Sequence, residues 1–598
     1  MKQFWKFTLA TVTGCVLSFI VIFGIIFIFF SVLISGLGKG FKTDKDVLIK
    51  EGTVLEINLE NEIPDKTSDN PFKSIDFVNF ESTRIIGLND ILKNIEKAKN
   101  DDNVKGIYLN LSVLPAGFAT IEEIRNKLID FKESEKFIIS YSDVYSQKAY
   151  YLASVSDEIY LNPQGSFLWS GLVARLLFFK NALEKLGIEP QIFRYGEFKA
   201  ATEPFTEEKM SEANRLQTTE MLQSIWDEII LNISEERNIS IEDLNLYADE
   251  LMCYNAETSL KNGMIDGIMY YDEFLEIIKE KTGADEDAET KDFIVNLTKY
   301  QRVKTKGIET TRSKNKVAVV FAEGEIVMGK GREGSIGGDR LAEVIREIRL
   351  NDDYKAIVLR VNSPGGSGLA SETIWREVVL TVKEKPVVVS MGNLAASGGY
   401  YIACPANYIF AQPNTITGSI GVFGLIPNME ELMNDKLGIS IDVVATNKNA
   451  DIGSVMRPIE EHERQFIQKQ VDDFYEVFLD RVADGRKNLS TEEIRLISEG
   501  RIWSGISSVE LGLVDEIGGI NDAVNKAIEL AELDDYRLIE YPKGRDFMEK
   551  IISDLSFSLT HKIFKQTLGE NYKTFQLIEQ IKEMDGVQAR MIFDMDIK

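Results

Sequence analysis

The sequence predicts an α/β protein built from two copies of one domain, preceded by one transmembrane helix. Three observations carry that prediction. The first is an internal repeat. Ala149-Tyr-Tyr-Leu-Ala-Ser, followed by Glu158-Ile-Tyr-Leu-Asn-Pro163, echoes Gly399-Tyr-Tyr-Ile-Ala-Cys, followed by Tyr408-Ile-Phe-Ala-Gln-Pro413, at a constant offset of 250 residues. The second is alternation of short apolar, β-branched runs with longer helix-period segments, the pattern of a sheet covered by helices. The third is an uncharged run between Lys6 and Lys39.

Taken in chain order, residues 1–46 come first. The apolar stretch at 15–37 is rich in Ile, Phe and Val, and a membrane span needs about 20 such residues, more than a signal-peptide core. Val12-Thr-Gly-Cys15 resembles a lipoprotein cleavage box but precedes the apolar run instead of following it. Lysines flank both ends (Lys2 and Lys6; Lys39, Lys42, Lys45 and Lys50), so charge alone leaves the topology open.

The first copy is assigned to residues 47–283, a charged connector to 284–315 and the second copy to 316–535. Thr53-Val-Leu-Glu-Ile matches Lys316-Val-Ala-Val-Val, and Val104-Lys-Gly-Ile matches Tyr354-Lys-Ala-Ile. In the second copy a strand at 357–361, a turn at 362–367, a helix at 370–382 and a strand at 386–390 lead to Ser397. A helix begins at Gly398, a strand follows at 408–411, and long helices at 460–484 and 491–499 read as packing elements. Residues 536–598 read as an amphipathic helical extension, with helices at 547–559 and 574–584, suited to core packing or subunit contact better than to any ligand.

Composition excludes some classes. A net charge of −27 argues against nucleic acid as a partner. Three cysteines (Cys15, Cys253 and Cys404) make no disulfide framework.

The copies differ where chemistry would be. Ser397 sits between a buried strand and a helix start, with only small neighbours, and its counterpart in the first copy is Gln147. In the Pro364-Gly365-Gly366 turn, where backbone N–H groups can approach a ligand, Gly365 and Gly366 fall on Pro115 and Ala116 of the first copy. Conversely Lys199, amid Phe198, Ala200, Ala201 and Phe205, has no aligned lysine in the second copy, although a slipped alignment would bring Lys448 into contention.

A serine needs a base. The chain has only two histidines: His462 lies in a charged, solvated stretch and His561 in the tail. A lysine whose burial favours the neutral amine can replace them. Gly398 with Gly365 and Gly366 would then supply an oxyanion hole, and Ser419, in a glycine-bounded turn, could orient the amine. Read singly, each feature also fits a bland role: a strand–helix turn, a type II turn, an ordinary lysine on an amphipathic edge.

Four motifs, in order, resemble a known family. Lys199-Ala-Ala-Thr-Glu-Pro-Phe, Asn362-Ser-Pro-Gly-Gly-Ser, Met391-Gly-Asn-Leu-Ala-Ala-Ser-Gly-Gly-Tyr and Thr417-Gly-Ser-Ile-Gly-Val-Phe-Gly are similar to the long, duplicated form of bacterial signal peptide peptidase A. The resemblance implies two tandem domains related to the Clp protease and crotonase folds, built of ββα units. It makes Ser397 the nucleophile, Lys199 the general base, Ser419 the lysine-orienting residue, and Gly398 with Gly365 or Gly366 the oxyanion hole.

It further implies a membrane-anchored homotetramer degrading cleaved signal peptides and other short apolar peptides. The catalytic domains would lie on the periplasmic side of the bacterial inner membrane. No cofactor, metal or nucleic acid enters this chemistry. Asn393 departs from the family's usual glycine. The competing readings are a crotonase-type acyl-CoA enzyme, which needs neither serine nor lysine, and a non-catalytic membrane scaffold.

Overall fold

The computed structural model describes residues 49–68, 85–285, 287–303, 313–332, 334–543 and 586–591, with short pieces at 75–76, 81–82 and 596–597 and scattered positions before residue 25. No helix among these residues is long and apolar enough to cross a membrane. The apolar run at 15–37 lies mostly outside the described residues.

Each copy forms a mainly parallel sheet. In the first, Thr53–Asn58 lies between Ile294–Asn296 and Val104–Asn110, with Phe137–Tyr145, Glu158–Phe167 and Gly267–Ile268 following outward. In the second, Lys316–Glu323 pairs with Tyr354–Ser363, which pairs with Val387–Ala396. The apolar, β-branched runs suit strands covered on both faces. Helices supply the cover: Leu88, Ile91, Leu92 and Ile95 line one stripe of Leu88–Lys99 at the spacing of a buried helical face.

Two boundaries differ from the sequence reading. Ile294–Asn296, inside the expected connector, is an edge strand of the first sheet. Arg537–Tyr541, beyond residue 535, pairs with Lys316–Glu323 as an edge strand of the second. Both segments have apolar runs too short to display a period.

A third sheet draws on both copies. Its order is Ser335–Gly337, Glu325–Val327, Gly365–Ser367, Gln588–Arg590, Phe423–Asn428 and Glu189–Arg194. The expected turn at 362–367 is therefore a strand end, a break at Pro364 and a short paired strand. Gly366 is obligatory there: a Cβ on it would stand 2.0 Å from the Ile326 carbonyl oxygen.

The copies share one core. Leu55, Ile107 and Ile121 of the first belong to the same buried apolar cluster as Val317, Val319, Val388 and Ile520 of the second. Polar bridges reinforce the junction. The fully buried Arg360 donates to Asp65 at 2.8 and 3.0 Å and pairs with Glu123 at 2.6 Å. Asn393 accepts from the Thr120 N–H at 3.0 Å and donates to the Thr120 hydroxyl at 2.7 Å. A glycine there could make neither bond. Asn393→Ala is expected to lower unfolding free energy by about 1–3 kcal/mol, since it strands partly buried polar groups. Denaturant titration measures this.

Candidate active site

Strand Val387–Ala396 ends at Ser397, and helix Gly398–Ala403 begins directly after it. Ser397 has φ 54° and ψ −113°, a backbone state uncommon for a residue with a side chain. Its N–H donates to the Gly418 carbonyl at 2.8 Å, which fixes the bend. Small neighbours are enforced: a Cβ on Gly398 would lie 2.7 Å from Ser371 Oγ, and one on Gly399 2.7 Å from the Ser363 carbonyl.

Lys199 arrives from the first copy. It precedes the short 3₁₀ turn Ala200–Thr202 and is only 1% exposed. Its Nζ lies 2.9 Å from Ser397 Oγ, 3.0 Å from Ser419 Oγ and 3.1 Å from the Ser419 carbonyl oxygen. Burial pushes the amine's pKa well below that of an ordinary lysine.

In its neutral form this amine can take the serine proton. A neutral amine has two N–H donors and one lone pair. The Ser419 carbonyl can only accept, so it takes one N–H, and the Ser419 hydroxyl takes the other. The lone pair is left for the Ser397 hydroxyl proton. Ser397 Oγ has a second acceptor, the Gly421 carbonyl, at 3.3 Å.

The sequence reading missed a supporting network. Gln217 is buried; its Nε2 donates to the Phe198 carbonyl at 3.1 Å, and its Oε1 accepts from the Ile502 N–H at 3.2 Å. It thus ties the lysine segment to residues 499–502. That stretch in turn holds Ser419, whose N–H donates to the Arg501 carbonyl at 2.7 Å. A glutamine on the long helix Glu212–Arg237 carries no sequence signal for this role. Lys448 is exposed, away from this cluster. His462 sits at the surface beside Asn449 and Glu460, and His561 lies outside the described residues.

The larger omission is the tail. Helices expected at 547–559 and 574–584 fall outside the described residues, but Gln588–Arg590 is a strand inside the site. It pairs antiparallel with Gly365–Ser367, with Ala589 opposite Gly366, and its other edge meets Phe423. The Met591 N–H donates to the Pro364 carbonyl at 2.8 Å, and the Gly368 N–H to the Val587 carbonyl at 3.1 Å. The Ala589 carbonyl oxygen faces the two glycines: Cβ atoms on Gly365 and Gly398 would stand 2.1 and 2.9 Å from it. The physical reason is alternation. Val587, Ala589 and Met591 are apolar, Gln588 and Arg590 polar, which suits a strand filling a slot between two unpaired edges.

The model for Peptidase family S49 matches residues 130–285 and 380–534, one stretch in each copy. Protease 4 of Haemophilus influenzae is 36% identical over 456 residues, covering 75% of this chain and 73% of that protein. The chloroplastic serine protease SPPA of Arabidopsis thaliana is 31% identical over 552 residues, covering 91% of this chain and 78% of that one. Among solved structures, a ClpP1 mutant from Listeria monocytogenes overlaps 34% of this chain and 94% of its own, at 18% identity and a TM-score of 0.24. The chain belongs to peptidase family S49 and is a serine peptidase of the long SppA type.

Proposed function

We propose that the protein is a membrane-anchored endopeptidase that cleaves extended apolar peptides, cleaved signal peptides among them, with Ser397 as nucleophile and Lys199 as general base. The observation that carries this is the buried Lys199 amine, its pKa pushed well below that of an ordinary lysine, 2.9 Å from the Ser397 hydroxyl. A crotonase-type enzyme has no use for that contact, and a scaffold has no use for burying a lysine.

The proposed steps use these groups in turn. Ser397 Oγ attacks the scissile carbonyl carbon as its proton passes to Lys199 Nζ. The oxyanion is met by the Gly398 N–H and one from the Gly365–Gly366 pair, at the place where the Ala589 carbonyl now lies. The resulting ammonium protonates the leaving amine, and the C–N bond breaks to give an acyl-enzyme. Water then adds with the same base assisting and releases Ser397. Ser419 keeps the amine's lone pair aimed at Ser397.

The same reading places the anchor in residues 15–37 and the catalytic copies on the periplasmic side of a bacterial inner membrane, assembled as a homotetramer. The uncharged run from residue 7 to 38 supports the anchor.

Labelling tests the site. A fluorophosphonate is expected to attach to Ser397 alone, and to fail in Ser397→Ala; labelling elsewhere overturns the assignment. Because Lys199 must be neutral to act, activity is expected to rise with pH through its lowered pKa and persist into the alkaline range. Lys199→Arg is expected to be inactive at every pH tested, since a guanidinium keeps its proton. A pH–rate profile with an acidic optimum contradicts the mechanism.

A further inference from the structure

The first copy keeps the outline of a catalytic site but not its chemistry. Gln147 occupies the position of Ser397, and its Nε2 donates to the Gly171 carbonyl at 2.9 Å, as Ser397 Oγ meets the Gly421 carbonyl. Gly171 and Gly421 are themselves 250 residues apart. Gln147 Oε1 accepts from the N–H groups of Ser170 and Gly171, both at 2.9 Å, so the amide plugs the space. The repeat register therefore holds in three dimensions around the lost nucleophile.

At the same register, Ser363, Gly418, Phe423 and Pro427 are buried in the second copy, where Phe423 pairs with Arg194 and Gln588 and Pro427 with Pro190. Their counterparts are Val113, Leu168, Val173 and Leu177. These four, with the nearby Val144, are 40–71% exposed. They belong to one surface: Val144 pairs with Ser166, Ser112 accepts from the Ser146 N–H, and Gln147 joins Ser170 and Gly171. Five exposed branched aliphatics around the plugged site make an apolar patch.

The tail shows what lies along it. Beyond the strand at the serine, the chain reads Met591-Ile-Phe-Asp-Met-Asp-Ile597. Its Asp596–Ile597 pairs antiparallel with Ala174–Arg175. Ala174–Arg175 is the first-copy counterpart of residues 424 and 425, in the strand Phe423–Asn428 that flanks the tail at the catalytic copy. The tail thus meets equivalent strands of both copies: Gln588 pairs with Phe423 in the second, and Asp596–Ile597 with Ala174–Arg175 in the first.

We infer that the first copy is a non-catalytic peptide-binding site. It holds the apolar stretch of a substrate on the C-terminal side of the bond cut at Ser397, by strand addition to Ala174–Arg175 and contact with Val173 and Leu177. The inference rests on the peptidase reading, and takes the tail's direction as that of a substrate.

The test uses the full chain and two apolar peptides with the same residues before a shared alanine. One ends two residues after the alanine, the other nine. The long peptide is expected to show a KM about tenfold lower than the short one, the size of effect that burying one or two aliphatic side chains gives. Val173→Glu with Leu177→Glu is expected to abolish that difference while leaving kcat and KM for the short peptide unchanged, which also certifies the fold. Equal KM values for the two peptides in the parent protein, or an unchanged preference in the double variant, overturns the inference. So does a double variant that loses binding to phosphatidylcholine vesicles but keeps the preference, since the patch then contacts lipid.

Fluorescence anisotropy of the long peptide on Ser397→Ala protein reads the site without turnover. Its loss on adding the two glutamates supports the peptide site, whereas a failure of fluorophosphonate to label Ser397 in the parent protein overturns the peptidase reading and not this binding result.

Discussion

Ser397→Ala is expected to reduce peptide hydrolysis by on the order of 10⁴-fold or more, and Lys199→Met by a similar factor, with both proteins folded. On the proposed mechanism the two substitutions act on one proton transfer, so the double variant is expected to lose little beyond either single one. Steady-state kinetics with active-site titration measures this. Lys199→Met retaining more than a few per cent of activity would put the base elsewhere.

Lys199→Met has a second signature, in stability. Between the lowered pKa of the folded lysine and the ordinary value of the unfolded one, the unfolded chain binds one more proton than the folded chain. The lysine protein therefore gains stability as pH rises, by about 1.4 kcal/mol per unit in that window, and the methionine variant lacks this gain. The variant is expected to be the more stable at neutral pH, with its advantage shrinking toward alkaline pH. Urea titrations across pH measure the slope. A flat difference would show that Lys199 titrates normally.

Separating the copies is expected to abolish activity altogether. Two chains cut near Thr305 place Lys199 on one and Ser397 on the other, and each exposes apolar side chains now shared in one core, such as Leu55 and Val319. Each also loses half of the Arg360–Asp65 pair, leaving a buried charge unpaired, a loss worth about 3–5 kcal/mol in such clusters. Mixing the two is expected to restore hydrolysis with a bimolecular concentration dependence. Turnover by the Ser397-bearing piece alone would mean that it contains its own base.

The repeat made the two sheets, the strand before Ser397 and the helix after it legible in the sequence. Motif and composition together brought Lys199 and Ser419 into the argument, and the geometry joins them to Ser397. What stayed hidden lacks periodicity or depends on distant partners. Gln217 matters because of Phe198 and Ile502, which no local pattern links to it. The strand at 588–590 is three residues long, too short to outweigh the helical periodicity of the sixty residues around it. The positive φ of Ser397 was equally silent, because only the surrounding glycines hint at it.

The division of the site between copies also sets an order in time. A ribosome adds roughly 5–20 residues each second, so the lysine leaves the exit tunnel roughly 10–40 s before the serine does. On the proposed mechanism, the nascent chain during that interval holds a base with nothing to deprotonate. Gln588–Arg590, which lies across the serine site, emerges later still. On the proposed mechanism, proteolytic competence is thus withheld until both copies have emerged and closed on each other. A ribosome that stalls between them releases a polypeptide unable to cut its neighbours.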